Sequence, residues 1–114
     1  MSAKMSSRQV GEVTVVDLEG RITLGEASHA LRDELRHLIS KNRKKILLNF
    51  AEVSFIDSSG VGQLVAGFTT VSNQGGQLKL LNLSKRVKEV LHMARIASVF
   101  EIYDDEAAAI VTFA

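Results

Sequence analysis

Asp57-Ser58-Ser59-Gly60 stands between a run of apolar residues and a long stretch without charge. A serine hydroxyl in such a place can do two kinds of chemistry. It can attack a carbonyl, or it can accept a phosphoryl group. Attack needs a base in hydrogen-bond reach and an acid to orient that base. The G-x-S-x-G elbow is absent, and the one histidine downstream, His92, lies on a helical stretch without an obvious acid partner. His29 and His37 fall among charged residues of another helical stretch and read as solvated surface. No grouping of His, Asp and Glu has metal-ligand spacing. Gly60-Val61-Gly62 lacks the Lys-Ser/Thr that completes a phosphate-binding loop. No catalytic residue, metal or cofactor is therefore expected. Asp and Ser are preferred N-caps, so the segment can also be read simply as a well-capped helix start.

The elements that must hold these residues can be read from hydrophobic periodicity. Glu12 to Leu18 reads as a strand, with Thr14, Val16 and Leu18 on one face, and Glu19-Gly20-Arg21 as a turn. Ala27, Ala30, Leu31, Leu35, Leu38 and Ile39 recur at helical spacing. Thr23-Leu24-Gly25-Glu26 before them fits a capping box. Ile46 to Phe50 and Leu78 to Leu81 are nearly continuous apolar runs, as in strands buried on both faces of a parallel sheet. A helix over 59–73, closed by Gly75-Gly76, separates them. Ser84 caps a third helix, Val99 to Tyr103 reads as a short strand, and Asp104-Asp105-Glu106 opens a last helix. Alternating strands and helices imply an α/β domain with a mostly parallel, mixed sheet of four to five strands and about four helices. The Asp57-Ser58 junction then falls at the carboxyl end of a parallel strand, where α/β proteins place their sites.

No charged residue occurs between Ser58 and Leu78. A helical projection sets Ser59, Gln63, Ala66, Thr70 and Asn73 opposite the apolar stripe, giving a small, neutral outer face. Two readings stay open. A neighbouring helix covers this face, or a protein partner docks there, where small neutral residues lower the desolvation cost. In the second case a phosphate on Ser58 would add nearly two negative charges beside Asp57. The helix N-terminus would offset that charge in the free protein, while an apposed partner would meet desolvation and repulsion.

Composition narrows the partners. Fourteen Lys and Arg against thirteen Asp and Glu leave a formal charge of +1, too weak a field to attract a phosphate backbone, so no nucleic-acid partner is expected. The chain has no cysteine, which suits a reducing cytoplasm. The start lacks the apolar core of a signal peptide, and no apolar run is long enough for direct membrane insertion. At 114 residues, one domain spanning 1–114 is expected, with 1–8 flexible.

The pattern Ile56-Asp57-Ser58-Ser59-Gly60-Val61-Gly62, after a buried strand and before a neutral helix, resembles the STAS-domain family of anti-sigma factor antagonists. The likeness extends to the V-x-L-x-G-R-I opening at Val16 to Ile22 and to G-G-x-L-x-L-x-N at Gly75 to Asn82. The resemblance implies a single STAS-like domain. It implies an unphosphorylated form that binds an anti-sigma factor serine kinase and so frees a sigma factor. It implies phosphorylation of Ser58 by that kinase, and a serine phosphatase that reverses it. Asp57, Ser59 and Gly60 would surround the phosphoacceptor, with Ser59 the neighbouring hydroxyl, and Thr23, Gln63, Ala66 and Thr70 would complete the partner-binding surface. Thr23 stands where family members often carry an acidic residue. STAS domains also serve as scaffold subunits of stress-signalling assemblies and of membrane lipid transporters, which is the alternative the resemblance carries.

Overall fold

The computed structural model describes residues 4–113. Five strands, β1 Lys4–Val10, β2 Val13–Ile22, β3 Lys45–Ile56, β4 Gln77–Leu81 and β5 Ile102–Tyr103, lie side by side in chain order. β1 runs antiparallel to β2, and the remaining pairs are parallel. Each parallel pair is joined through a helix: α1 Glu26–Ser40, α2 Ser58–Asn73 and α3 Lys85–Met93. α4, Glu106–Ile110, follows the last strand.

Because the order never reverses, crossovers of one hand place all three connecting helices on one face of the sheet. The main core records this. Leu31, Leu35, Leu64, Val71, Val87 and Leu91 from the helices pack with Val16, Leu18, Ile46, Leu48, Leu78 and Leu80 from the strands. On the opposite face a smaller cluster, Val13, Val15, Leu47 and Leu81, is closed by Ala109 of α4, with Phe113 packed against it. β2 is thus buried on both faces, which a reading of one apolar face understates.

Four expectations need correction. Residues 4–8 are not a flexible tail but part of an edge strand paired to β2 from Lys4↔Glu19 to Val10↔Val13. An edge strand is held by backbone pairing, so its side chains can remain as polar as Ser6, Ser7 and Arg8. Residues 1–3 lie outside the described residues. Glu19-Gly20-Arg21 is not a turn: Gly20 sits at φ 98° inside β2, where the register shifts and pairing resumes with Arg21↔Phe55 and Ile22↔Ile56. Thr23 and Glu26 form no capping box, since Gly25 is the N-cap of α1 and makes no side-chain cap bond. The strand expected over Val99 to Tyr103 shrinks to two residues. A single 3-10 turn, Ala97–Val99, precedes it and turns Phe100 into the core, edge-on to Phe68 at 5.3 Å.

α2 ends as Gly75-Gly76 requires. Gly75, at φ 80°, donates its N–H to Ser72 O and Gly76 donates to Val71 O at 2.8 Å, a Schellman closure.

A buried cation fastens the α4 side. Lys79 of β4 is 4 % exposed, and its Nζ donates to the Thr112 carbonyl at 3.1 Å and Oγ1 at 2.8 Å while lying 4.7 Å from the Phe113 ring centroid. Arg8 adds a surface tie from β1, bridging Glu106 and Asp17. Lys79→Met keeps the stem and removes the ammonium, leaving the Thr112 carbonyl without its donor. The expected loss is about 1.5–3 kcal/mol in urea denaturation, with the α4 amides losing exchange protection first.

Candidate functional site

Asp57 ends β3 in extended backbone (φ −106°, ψ −175°) and caps α2. Its Oδ1 accepts the N–H groups of Ser59 at 2.9 Å and Gly60 at 3.0 Å. Its Oδ2 accepts the N–H of Leu24 at 3.0 Å, across 33 residues of chain. One carboxylate therefore fixes both the start of α2 and the loop between β2 and α1. Burial by itself would push this carboxyl up, but the amides of Gly60, Leu24 and Ser59 outweigh it and hold the group below the ordinary aspartate range.

The backbone is drawn close at the same point. Asp57 N–H donates to the Ile22 carbonyl at 3.2 Å. A Cβ at Gly60 would lie 2.5 Å from that carbonyl oxygen and 2.6 Å from Ile56 Cγ1. Glycine is needed here because backbone meets backbone. Ser58, the first residue of α2, is exposed, and among the described residues its hydroxyl has no hydrogen-bond partner. Ser59 is half-buried.

The structure gathers Thr23, Asp57, Ser58, Ser59 and Gly60 at the carboxyl end of the sheet. Thr23 acts through its carbonyl, which accepts the Ser28 N–H at 3.2 Å. Gln63, Ala66 and Thr70 run away along α2. The helical projection is rotated slightly: the exposed ridge is Ser58, Gly62, Ala66, Thr69 and Asn73, while Gln63 turns toward α1. There Gly67 lets the helices close, its missing Cβ falling against Leu35 Cδ1. A groove of about 280 Å³ between the helices is lined by Arg32, Arg36, Ile39, Gln63 and Thr70, among others. α1 thus covers one flank of the neutral face and leaves the ridge open. Sequence reasoning missed Leu24. Its side chain is 77 % exposed beside the Asp57 clamp, and its signal was a large apolar residue inside a turn.

A STAS domain model matches residues 4–109. The chain belongs to the STAS domain family. Within that family it stands among the anti-sigma factor antagonists. An anti-sigma-B factor antagonist of Bacillus subtilis strain 168 is 32% identical over 87 residues, covering 76% of this chain and 78% of that protein. An anti-sigma F factor antagonist of Paenibacillus polymyxa is 25% identical over 99 residues, covering 86% and 84%. The Bacillus cell fate determinant SpoIIAA in its phosphorylated form matches with a TM-score of 0.75 and 25% identity over 96% of this chain and 98% of that one. The crystal structure of TM1081 from Thermotoga maritima shares the STAS fold with a TM-score of 0.89 at 23% identity, over 96% and 93%.

Two measurements test the clamp. Gly60→Ala should cost about 1–3 kcal/mol, because the new methyl must displace the Ile22 carbonyl or Ile56; an unchanged urea midpoint would show that the strand end yields freely. The lowered Asp57 value gives stability that is complete above about pH 3.9, the ordinary aspartate value, and lost as pH falls through the native one. The amide signals of Leu24, Ser59 and Gly60 should therefore move together with a single midpoint below that value. Separate midpoints would mean the three amides do not share one carboxylate.

Proposed function

We propose that this STAS domain is a non-catalytic, cytoplasmic partner switch. Its unphosphorylated form binds an anti-sigma factor serine kinase and releases a sigma factor. Phosphorylation of Ser58 abolishes that binding, and a serine phosphatase restores it. The observation that carries this reading is the Ser58 hydroxyl, exposed and unbonded at the first position of a helix whose outer ridge bears no charge.

The local physics supports a switch over a catalyst. A phosphoacceptor serine needs a base to take its proton, and Asp57 is a poor one, since its oxygens are committed to three amides and its carboxyl is held low. The base belongs to the partner. The half-buried Ser59 is a poorer acceptor than Ser58 on exposure alone. Docking along Ser58, Gly62, Ala66 and Thr69 brings a partner close to the helix, and Leu24 offers an apolar anchor next to it. Phosphate on Ser58 stands where that partner would sit, at a helix N-terminus that tolerates it in the free chain. Thr23, Asp57, Ser59 and Gly60 shape the site from below. Gln63, Ala66 and Thr70 extend it toward α1.

Binding of the purified chain to the serine-kinase anti-sigma factor of the same genome, with Ser58→Ala and Ser58→Asp compared by calorimetry, tests the reading. Wild type and Ser58→Ala should bind alike, Ser58→Asp should bind at least about tenfold more weakly, and only wild type should incorporate phosphate from ATP. Equal binding by all three would instead fit a scaffold subunit indifferent to Ser58.

A further inference from the structure

At the carboxyl end of the sheet a single ring carries two cations. Phe55, half-buried near the end of β3, has Arg21 Cζ 4.9 Å and Arg86 Cζ 5.1 Å from its centroid. Arg21 comes from the tip of β2, opposite Phe55 in the register, and Arg86 from the first turn of α3. Arg8, Arg32, Lys45, Lys79 and Lys88 all have carboxylates within reach. Arg21 and Arg86, like Arg36, Arg43 and Arg95, have none; what sets these two apart is the shared ring, and among the described residues neither exposed guanidinium has an ion-pair or hydrogen-bond partner. The carboxylates nearest in chain and register are Glu19 and Glu52, paired across β2 and β3, and Glu89, one turn further along α3. All are exposed and none is within ion-pair distance.

Stacking on an aromatic face fixes a guanidinium while leaving its N–H donors unspent. Two such groups about one ring concentrate positive charge with unspent donors, which an acidic group reaching either of them would take up. The position is as specific as the chemistry. Phe55 is two residues before Asp57, and Ile22, next to Arg21, is the residue whose carbonyl meets Asp57 and would meet a Cβ at Gly60.

We infer that Arg21 and Arg86, held over Phe55, receive a carboxylate of the protein partner that docks at Ser58. This rests on the partner-switch reading and adds the partner's chemistry to it. The neutral ridge of α2 supplies shape without charge, so the arginine pair sets orientation and steers approach. It also gives the phosphate a second way to act. Added at Ser58, it competes for the same guanidiniums and repels the incoming carboxylate, so binding falls while the fold stays intact.

The test is calorimetric titration of the serine-kinase anti-sigma factor of the same genome with wild type, Arg21→Gln/Arg86→Gln and Arg21→Lys/Arg86→Lys, at low and physiological salt, with far-UV spectra and melting checked for each chain. The Gln variant should bind at least about tenfold more weakly, with a flatter salt dependence, and the Lys variant should recover part of the loss. Introduced into the Gln variant, Ser58→Asp should cost less affinity than in wild type, because the two changes act on one contact. A folded Gln variant that binds as tightly as wild type with the same salt dependence overturns the inference and leaves the switch standing. Failure of wild type to bind the kinase overturns both.

Discussion

The carboxylate of Asp57 joins the end of β3 to the start of α2 and to the loop after β2. Its oxygens take the amides of Ser59 and Gly60 at the start of α2 and of Leu24 in the loop after β2. An ordinary N-cap satisfies one or two free donors of its own helix. Here the cap also reaches across the sheet end, one oxygen holding the helix start and the other the loop. The close approach of Gly60 to Ile22 follows from the same constraint, because the amides reach the carboxylate only if the first turn lies flat against the tip of β2. Ser58 is exposed as a consequence. With its two successors turned toward Asp57, the first helical side chain points away.

Topology decides what kind of surface that end becomes. Doubly wound sheets open a crevice where strand order reverses and helices part to opposite faces. This sheet keeps the order β1 to β5 without reversal. Its carboxyl end presents the α2 ridge, the loop holding Leu24 and the two arginines over Phe55. A cavity of about 650 Å³, lined by Gly11, Arg43, Lys44, Lys45 and Gly76 among others, lies at the opposite end, where β3 and β4 begin. It is far from Ser58, and its two lysines are already engaged, Lys44 with the Gln74 carbonyl and Lys45 with Glu12. An exposed hydroxyl beside an uncharged, exposed ridge suits a macromolecular partner better than a small molecule.

Periodicity was enough to read the three connecting helices, the apolar runs of β3 and β4 and a capped helix start around Asp57-Ser58, because each has a strong local signature: an apolar stripe, a buried run, or preferred capping residues followed by glycine. The misreadings share one cause. β1 is polar because an edge strand is secured by its backbone. Gly20 has the residue type of a turn, yet the partner strand holds it in the sheet as an irregularity. Thr23-Leu24-Gly25-Glu26 has the spacing of a capping box, but Gly25 at φ 101° turns the chain before Thr23 can serve, and the loop is held by a carboxylate 33 residues away. Phe55 with Arg21 and Arg86 is equally non-local, since no window of sequence contains all three. What one segment decides for itself could be read; what a distant segment decides could not.

On the proposed switch, the electrostatics of α2 would let a charge be added at Ser58 without unfolding the chain. No acidic residue lies in its first turn and no basic residue in its last, and the carboxylate at its positive end is that of its N-cap, Asp57. A helix N-terminus favours a nearby anion by about 0.3–1 kcal/mol at an exposed site. That is small beside a domain's stability, but it has the sign needed to offset repulsion between a phosphate and Asp57, whose own charge is already spread over three amides. A helix carrying acidic residues in its first turn would have used that capacity. The absence of charge along α2 therefore does two things at once: it leaves the ridge cheap to desolvate against a partner, and it leaves the helix end free to accept a phosphate. On the proposed switch, folding and binding would respond differently to a phosphate on Ser58, because they would draw on opposite sides of it, the helix dipole below and the partner's surface above.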